Sequence, residues 1–103
     1  MKFDIDNLPV RNNEEEGQFE IEIDGQVALL AYFRRGDSII YPHTLVPEEL
    51  EGHGLAGRLA RHALEYAREH HLTVVPRCPY VRAYLREHPE YADLVEPGSQ
   101  SEN

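Results

Sequence analysis

The sequence predicts an α+β fold in which an antiparallel meander is followed by a β-α-β-α unit with two parallel strands. Three observations predict it. Apolar residues alternate with acidic ones through Phe19, Ile21 and Ile23, the period-2 mark of a half-buried strand. Turn signals follow at Asp24-Gly25 and Arg35-Gly36-Asp37, as hairpins require. From residue 54 the period becomes helical, through Leu55, Leu59, Ala63, Tyr66 and Ala67.

Taken in order, Leu8-Pro9-Val10-Arg11 reads as a short strand and Glu14-Glu15-Glu16-Gly17 as a solvated turn. The strand at 19–23 is joined by Asp24-Gly25 to a second, Val27 to Phe33, apolar throughout and so expected to be covered on both faces. Ser38 to Val46 reads as a third long strand, ending before Pro47. A helix over about 54–70 comes next, with His70 and His71 where positive charge suits its C-terminus. Leu72 to Val75 is a buried strand stopped by Pro76. Pro79 suits the first turn of a helix reaching about Glu87, and Pro89 prevents its continuation. A strand-helix-strand unit of this kind places its strands parallel with a right-handed crossover. Residues 1–96 are expected to form one domain and residues 97–103 a disordered tail.

Bulk properties narrow the function. The net charge of −9 argues against nucleic acid, because phosphate neutralisation needs an excess of Lys and Arg. The charge is uneven: residues 1–51 hold four basic and twelve acidic residues, whereas residues 52–88 hold six Arg and three Glu. A basic second half suits a small polyanion. No apolar run approaches the roughly 18 residues of a membrane span. The first residues lack the regions of a signal peptide. One cysteine, Cys78, leaves no intramolecular disulfide and fits a reducing compartment. A cytoplasmic protein is expected. The six histidines show no ligand spacing on one helix face, and no metal is expected.

The chemistry concentrates in Glu51-Gly52-His53-Gly54-Leu55-Ala56-Gly57, between a strand and a helix. Gly52, Gly54 and Gly57 remove side chains where a ligand must come close. The first turn of a helix carries unpaired N–H groups and partial positive charge, which suits an anion. No Gly-Lys-Ser/Thr follows, so the turn is not a Walker A loop. The Gly-x-Gly-x-x-Gly spacing lacks the doubly wound sheet of a dinucleotide fold. A tight turn with no ligand is the alternative.

Glu51-Gly52-His53-Gly54-Leu55-Ala56 resembles the Arg/Gln-x-x-Gly-x-Gly/Ala pyrophosphate motif of the GNAT acetyltransferases. His43-Thr44-x-Val46-Pro47-x-x-Leu50-Glu51-Gly52-x-Gly54-Leu55-Ala56, with Pro76-x-Cys78-Pro79-Tyr80-Val81 and Arg86-x-His88-Pro89-Glu90-Tyr91, resembles the short YjdJ-type branch of that superfamily over about residues 8–95. The resemblance implies a minimal GNAT fold of α/β/α type with splayed parallel strands. It implies acetyl-CoA or coenzyme A as co-substrate, held by Gly52, His53, Gly54, Leu55, Ala56 and Gly57, with Arg58 and Arg61 as candidates for its phosphates. The pantetheine arm would lie beside Thr44, Leu45 and Val46, and the thioester would end near Val75 to Cys78. Arg58 and Arg61 also read as a solvated helix face. Glu51 stands where the superfamily has Arg or Gln. A carboxylate beside a pyrophosphate is repulsive, so Glu51 is expected to point away.

Acetyl transfer to an amine needs a base, an oxyanion donor and an acid for the leaving thiolate. Tyr84 falls at the position of the tyrosine acid in GNAT enzymes, and also reads as a packed aromatic. Cys78 is a candidate nucleophile at a helix N-terminus, or a small buried residue. His43 is a candidate base, or a hydrogen-bonded structural histidine. Compared with full-length GNAT enzymes, two helices after the first strand and two final strands are missing. The donor site is therefore expected to be complete, with an open acceptor groove, in a monomer or homodimer. The acidic first half would attract a cationic amine or lysine acceptor. A CoA-binding regulatory or adaptor module with little turnover is the second reading, and a ligand-free interaction domain the third.

Overall fold

The computed structural model describes residues 7–95; the expected tail at 97–103 lies outside them. Seven strands and two helices follow in chain order: β1 (Arg11–Asn13), β2 (Gln18–Ile23), β3 (Gln26–Ala31), β4 (Phe33–Arg35), β5 (Ser38–Tyr41), β6 (Thr44–Leu45), α1 (Leu55–Glu69), β7 (Thr73–Pro76) and α2 (Pro79–Glu87). Short 3-10 turns cover Glu48–Leu50 and Pro89–Leu94. The class is α+β, as expected.

The Asp24-Gly25 turn joins β2 to β3, with φ of 52° and 81°. Two positive φ values are what a type I′ hairpin needs. Two expected long strands are each broken. The run from Val27 to Phe33 divides at Tyr32 into β3 and β4. The run from Ser38 to Val46 divides at Pro42-His43 into β5 and β6. The breaks sort the strands into two hydrogen-bonded halves, β1-β2-β3-β6 and β4-β5-β7. The short strand expected at Leu8 to Arg11 starts only at Arg11. Leu8 and Val10 instead pack against the core, half-buried.

The parallel pair is β5 with β7, in register from Ser38↔Thr73 to Tyr41↔Pro76, and α1 crosses between them as expected. The ladder ends there, with Pro76 closing one strand and Pro42 following Tyr41 on the other, and neither has an N–H to extend it. The chain after Tyr41 turns to β3, where Leu29 and Leu30 pair with Leu45 and Thr44. The chain after Pro76 enters α2. Among the described residues no ladder joins β6 to β7, and this break in the sheet, between β6 and the start of α2, is the gap.

One face of the sheet packs on α1. Leu55, Leu59, Ala60, Ala63, Leu64 and Ala67 bury its apolar stripe against Phe19, Ile21, Leu30, Ile39, Tyr41 and Val74. The buried Tyr41 hydroxyl donates to the Ala63 carbonyl at 2.7 Å, fixing the helix to β5. α2 and the turn after it lie alongside α1, held by Tyr91 Oη donating to Glu65 at 2.6 Å and by Arg68 with Asp93 at 3.1 Å. Of an α/β/α layering, the described residues supply the sheet and the layer on this face. Glu20, which points to the other face, is nevertheless only 5% exposed. It accepts hydrogen bonds from Arg11, from Asn13 at 2.9 Å and from Gln18 at 2.6 Å.

Candidate functional site

The site grows from the N-terminus of α1. Gly54 is its N-cap, in the left-handed region at φ 83°, and no side chain caps the helix. Gly52 has a similar φ of 84°. Such backbone is accessible to glycine at little cost. The first bond of the helix runs from Arg58 N–H to Gly54 C=O, at 3.1 Å. The N–H groups of Leu55, Ala56 and Gly57 lie in the turn before the intrahelical ladder, where no carbonyl of the helix can reach them. A Cβ placed on Gly52 or Gly54 meets nothing within 4 Å. The turn therefore offers open space above oriented donors at the positive end of a 15-residue helix.

Gly57 has a different role. A Cβ there would lie 3.2 Å from Tyr80 Oη and 3.9 Å from Tyr84 Cε2. The missing side chain lets both tyrosines of α2 come down onto the first turn of α1. Tyr84 also stacks on His88, with centroids 4.0 Å apart. Burial raises its phenol pKa above the usual value, opposed by the positive charge of Arg61. At neutral pH it is a proton donor.

Across the gap, Thr44 Oγ1 lies 3.3 Å from Cys78 Sγ. Thr44 is half-buried and Cys78 is buried. The turn carrying Cys78 is pinned by one carbonyl: Tyr41 C=O accepts from Arg77 N–H at 3.1 Å and from Cys78 N–H at 2.8 Å. Cys78 is also the N-cap of α2.

The remaining expected residues divide. His43, exposed, immediately precedes β6, and its carbonyl accepts from Ala31 N–H at 3.0 Å. Leu45 is exposed and Val46 half-buried. His53 and Glu51 are exposed in the loop. The Arg58 guanidinium donates to Leu8 C=O at 3.1 Å, tying the N-terminal segment to α1. The structure thus joins Gly57 to Tyr84 and Thr44 to Cys78. Sequence reasoning passed over Tyr80 and His62. Tyr80, four residues before Tyr84, had helical spacing as a signal. His62 packs edge-on against Phe19 at 5.1 Å, a contact between distant segments that no local pattern reveals. Among the described residues, no group of three or more His, Cys, Asp or Glu is placed to hold a metal, and no helix is long and apolar enough to cross a membrane.

A meander, a parallel pair whose ladder ends at two prolines and an uncapped glycine turn at the start of the crossover helix define a fold of the GNAT type. The comparisons agree. The model of the GCN5-related N-acetyl-transferase family matches residues 18–94, and the chain belongs to that family. It is 31% identical over 95 residues to the mouse protein NATD1, covering 87% of this chain and 86% of that one. The human NATD1 protein is also 31% identical, with 87% and 84% covered. A solution structure of a GCN5-like protein from Staphylococcus aureus, assigned as an N-acetyltransferase, superposes with a TM-score of 0.66 at 27% identity, over 93% of this chain and 98% of that one.

Proposed function

We propose that this chain is a cytoplasmic, YjdJ-type N-acetyltransferase that takes acetyl from acetyl-CoA and passes it to an amine. The observation that carries the reading is the open, uncapped first turn of α1. The free space at Gly52 and Gly54 fits a pyrophosphate held by main-chain N–H groups. The pantetheine arm then runs past Thr44, Leu45 and Val46, and the thioester reaches Cys78.

In this reading the acceptor amine is deprotonated by His43 and attacks the thioester carbonyl. The carbon–sulfur bond breaks, and Tyr84 protonates the leaving thiolate. Cys78, only 2% exposed and in contact with Thr44, lines the thioester end of the gap, and transfer is direct from thioester to amine. Arg58 stays at Leu8, so the anion is held mainly by backbone donors, and Arg61, whose charge acts on Tyr84, is the candidate cation.

Titration calorimetry of the whole chain with acetyl-CoA tests this. Binding in the micromolar to millimolar range is expected. Gly54→Val should abolish it, but valine is also strained at this φ. Gly54→Asn separates the two causes, because asparagine tolerates the left-handed region while filling the space. Loss of binding in both variants, with the fold retained, supports the loop assignment. Full affinity in either refutes it. Time-dependent acetylation across a panel of amines then decides between an enzyme and a binding module without turnover.

A further inference from the structure

Pleating sorts the sheet residues onto two faces, and among the described residues only one of them is covered by a helix. Facing α1, Phe19, Ile21, Ala28, Leu30, Ile39 and Val74 are at most 1% exposed. Their neighbours point the other way: Val27 and Leu29 on β3, Phe33 on β4, Ile40 on β5, Leu45 on β6 and Val75 on β7. None of these six is buried, and Phe33 and Leu45 are 63% and 60% exposed. Register lines them up. Leu29 opposes Leu45, Phe33 opposes Ile40, and Ile40 opposes Val75. Two apolar strips thus lie on this face, one on each hydrogen-bonded half of the sheet. A strand that is apolar on both sides is normally buried on both. Large apolar side chains left open as Phe33 and Leu45 are, beside half-buried apolar neighbours, mark a contact surface.

The rim indicates what covers it. Beside Val27 stands its register partner Glu22, with Glu20 one pleat further along β2 and a single cation, Arg11, bound to both. At the far end of the β3–β4 run, Arg35 lies on the same face as Phe33 and is exposed. One end of the face is acidic and the other basic. A twofold axis lying in the plane of the face places each acidic end against the basic end of the other copy. Edge-to-edge pairing through β4 fits less well, since an antiparallel pair centred on Arg34 would set that residue against its own copy.

We propose that a second copy of this chain covers the outer face, giving a homodimer by sheet-on-sheet packing through Phe33, Leu45 and their neighbours. The inference does not require the reaction proposed above, although it shares Leu45 with the proposed pantetheine path. Sedimentation equilibrium of the whole chain should show a concentration-dependent dimer. Phe33→Glu and Leu45→Glu, each at an exposed position, should give monomers with an unchanged far-ultraviolet circular dichroism spectrum. Glu22→Arg should raise the dimer dissociation constant about tenfold or more, and adding Arg35→Glu should restore it. A chain that stays monomeric at every concentration overturns the proposal. So does a dimer that survives both apolar replacements. If those variants fail to fold, the charge swap decides: absence of rescue in the double variant overturns this face as the interface.

Discussion

The Thr44 hydroxyl and the Cys78 sulfur stand 3.3 Å apart on the two lips of the gap between β6 and α2. They come from chain segments that belong to different hydrogen-bonded halves of the sheet. A ligand arm entering here must pass beside this contact or open it.

The contact separates two roles for Cys78. If its sulfur took the acetyl group, Cys78→Ala would remove nearly all turnover. If it only lines the gap, Cys78→Ala should lower kcat by no more than a few-fold, whereas the bulkier Cys78→Leu should raise KM for acetyl-CoA by about tenfold or more, by overpacking a filled site. Steady-state kinetics of the two variants distinguishes the cases. Loss of turnover in Cys78→Ala, with acetyl-CoA binding intact, would reinstate the nucleophile.

Gly57 lets α2, and with it Tyr84, close on the first turn of α1, and the proposed reaction uses Tyr84 as its acid. Removing its hydroxyl should cost a general acid's share, about 10²-fold or more in kcat, and leave KM for acetyl-CoA near its original value. Because burial raises the phenol pKa above its usual 10.0, no alkaline limb from this residue should appear in the kcat profile below that pH. A Tyr84→Phe variant with full kcat would return the residue to plain packing.

Local pattern carried much of this fold. Both helices, the Asp24-Gly25 hairpin and the parallel strand after α1 lie close to where periodicity and turn chemistry put them. The strand breaks at Tyr32 and Pro42 were not legible in that way, although Pro42 was in plain view. They arise because β3 prefers β6 while β4 prefers β5, a choice made between distant segments. The burial of Glu20 has the same origin: its alternation with Phe19 and Ile21 assigns it to an outer face, and only the arrival of Arg11, Asn13 and Gln18 encloses it. At the site, the glycine turn was legible, because open left-handed backbone needs glycine. The engagement of Arg58 by Leu8 was not, because it joins residues 50 positions apart.

The hydrogen bond from Tyr41 to the Ala63 carbonyl joins the gap-forming strand to the middle of α1. Tyr41→Phe keeps the ring and removes the donor. The loss should be about 1 kcal/mol of stability, a fall of roughly 4–8 °C in Tm for a domain of this size. Thermal denaturation followed by circular dichroism measures it. An unchanged Tm would show that the ring alone anchors β5.

Two titrating groups, half-buried His62 and buried Glu20, predict a stepped loss of stability in acid. Burial, reinforced by Arg58, lowers the pKa of His62 below 6.5. The unfolded chain then takes up a proton near 6.5 that the fold resists, so stability falls as pH drops through this value and levels off below the folded pKa. Glu20 works at lower pH. The hydrogen bond from Gln18, helped by those from Arg11 and Asn13, outweighs burial and holds its carboxyl below the usual 4.5. Its stabilisation is fully present above 4.5 and is lost as pH falls through the folded pKa. Urea midpoints measured from about pH 8 down to about pH 3 should therefore show an upper step absent from His62→Phe and a lower step absent from Glu20→Gln. The slope against pH is what each variant must change, because lost packing alone would only displace the whole curve. A His62→Phe profile parallel to that of the parent chain would mean that the imidazole titrates alike in the folded and unfolded states.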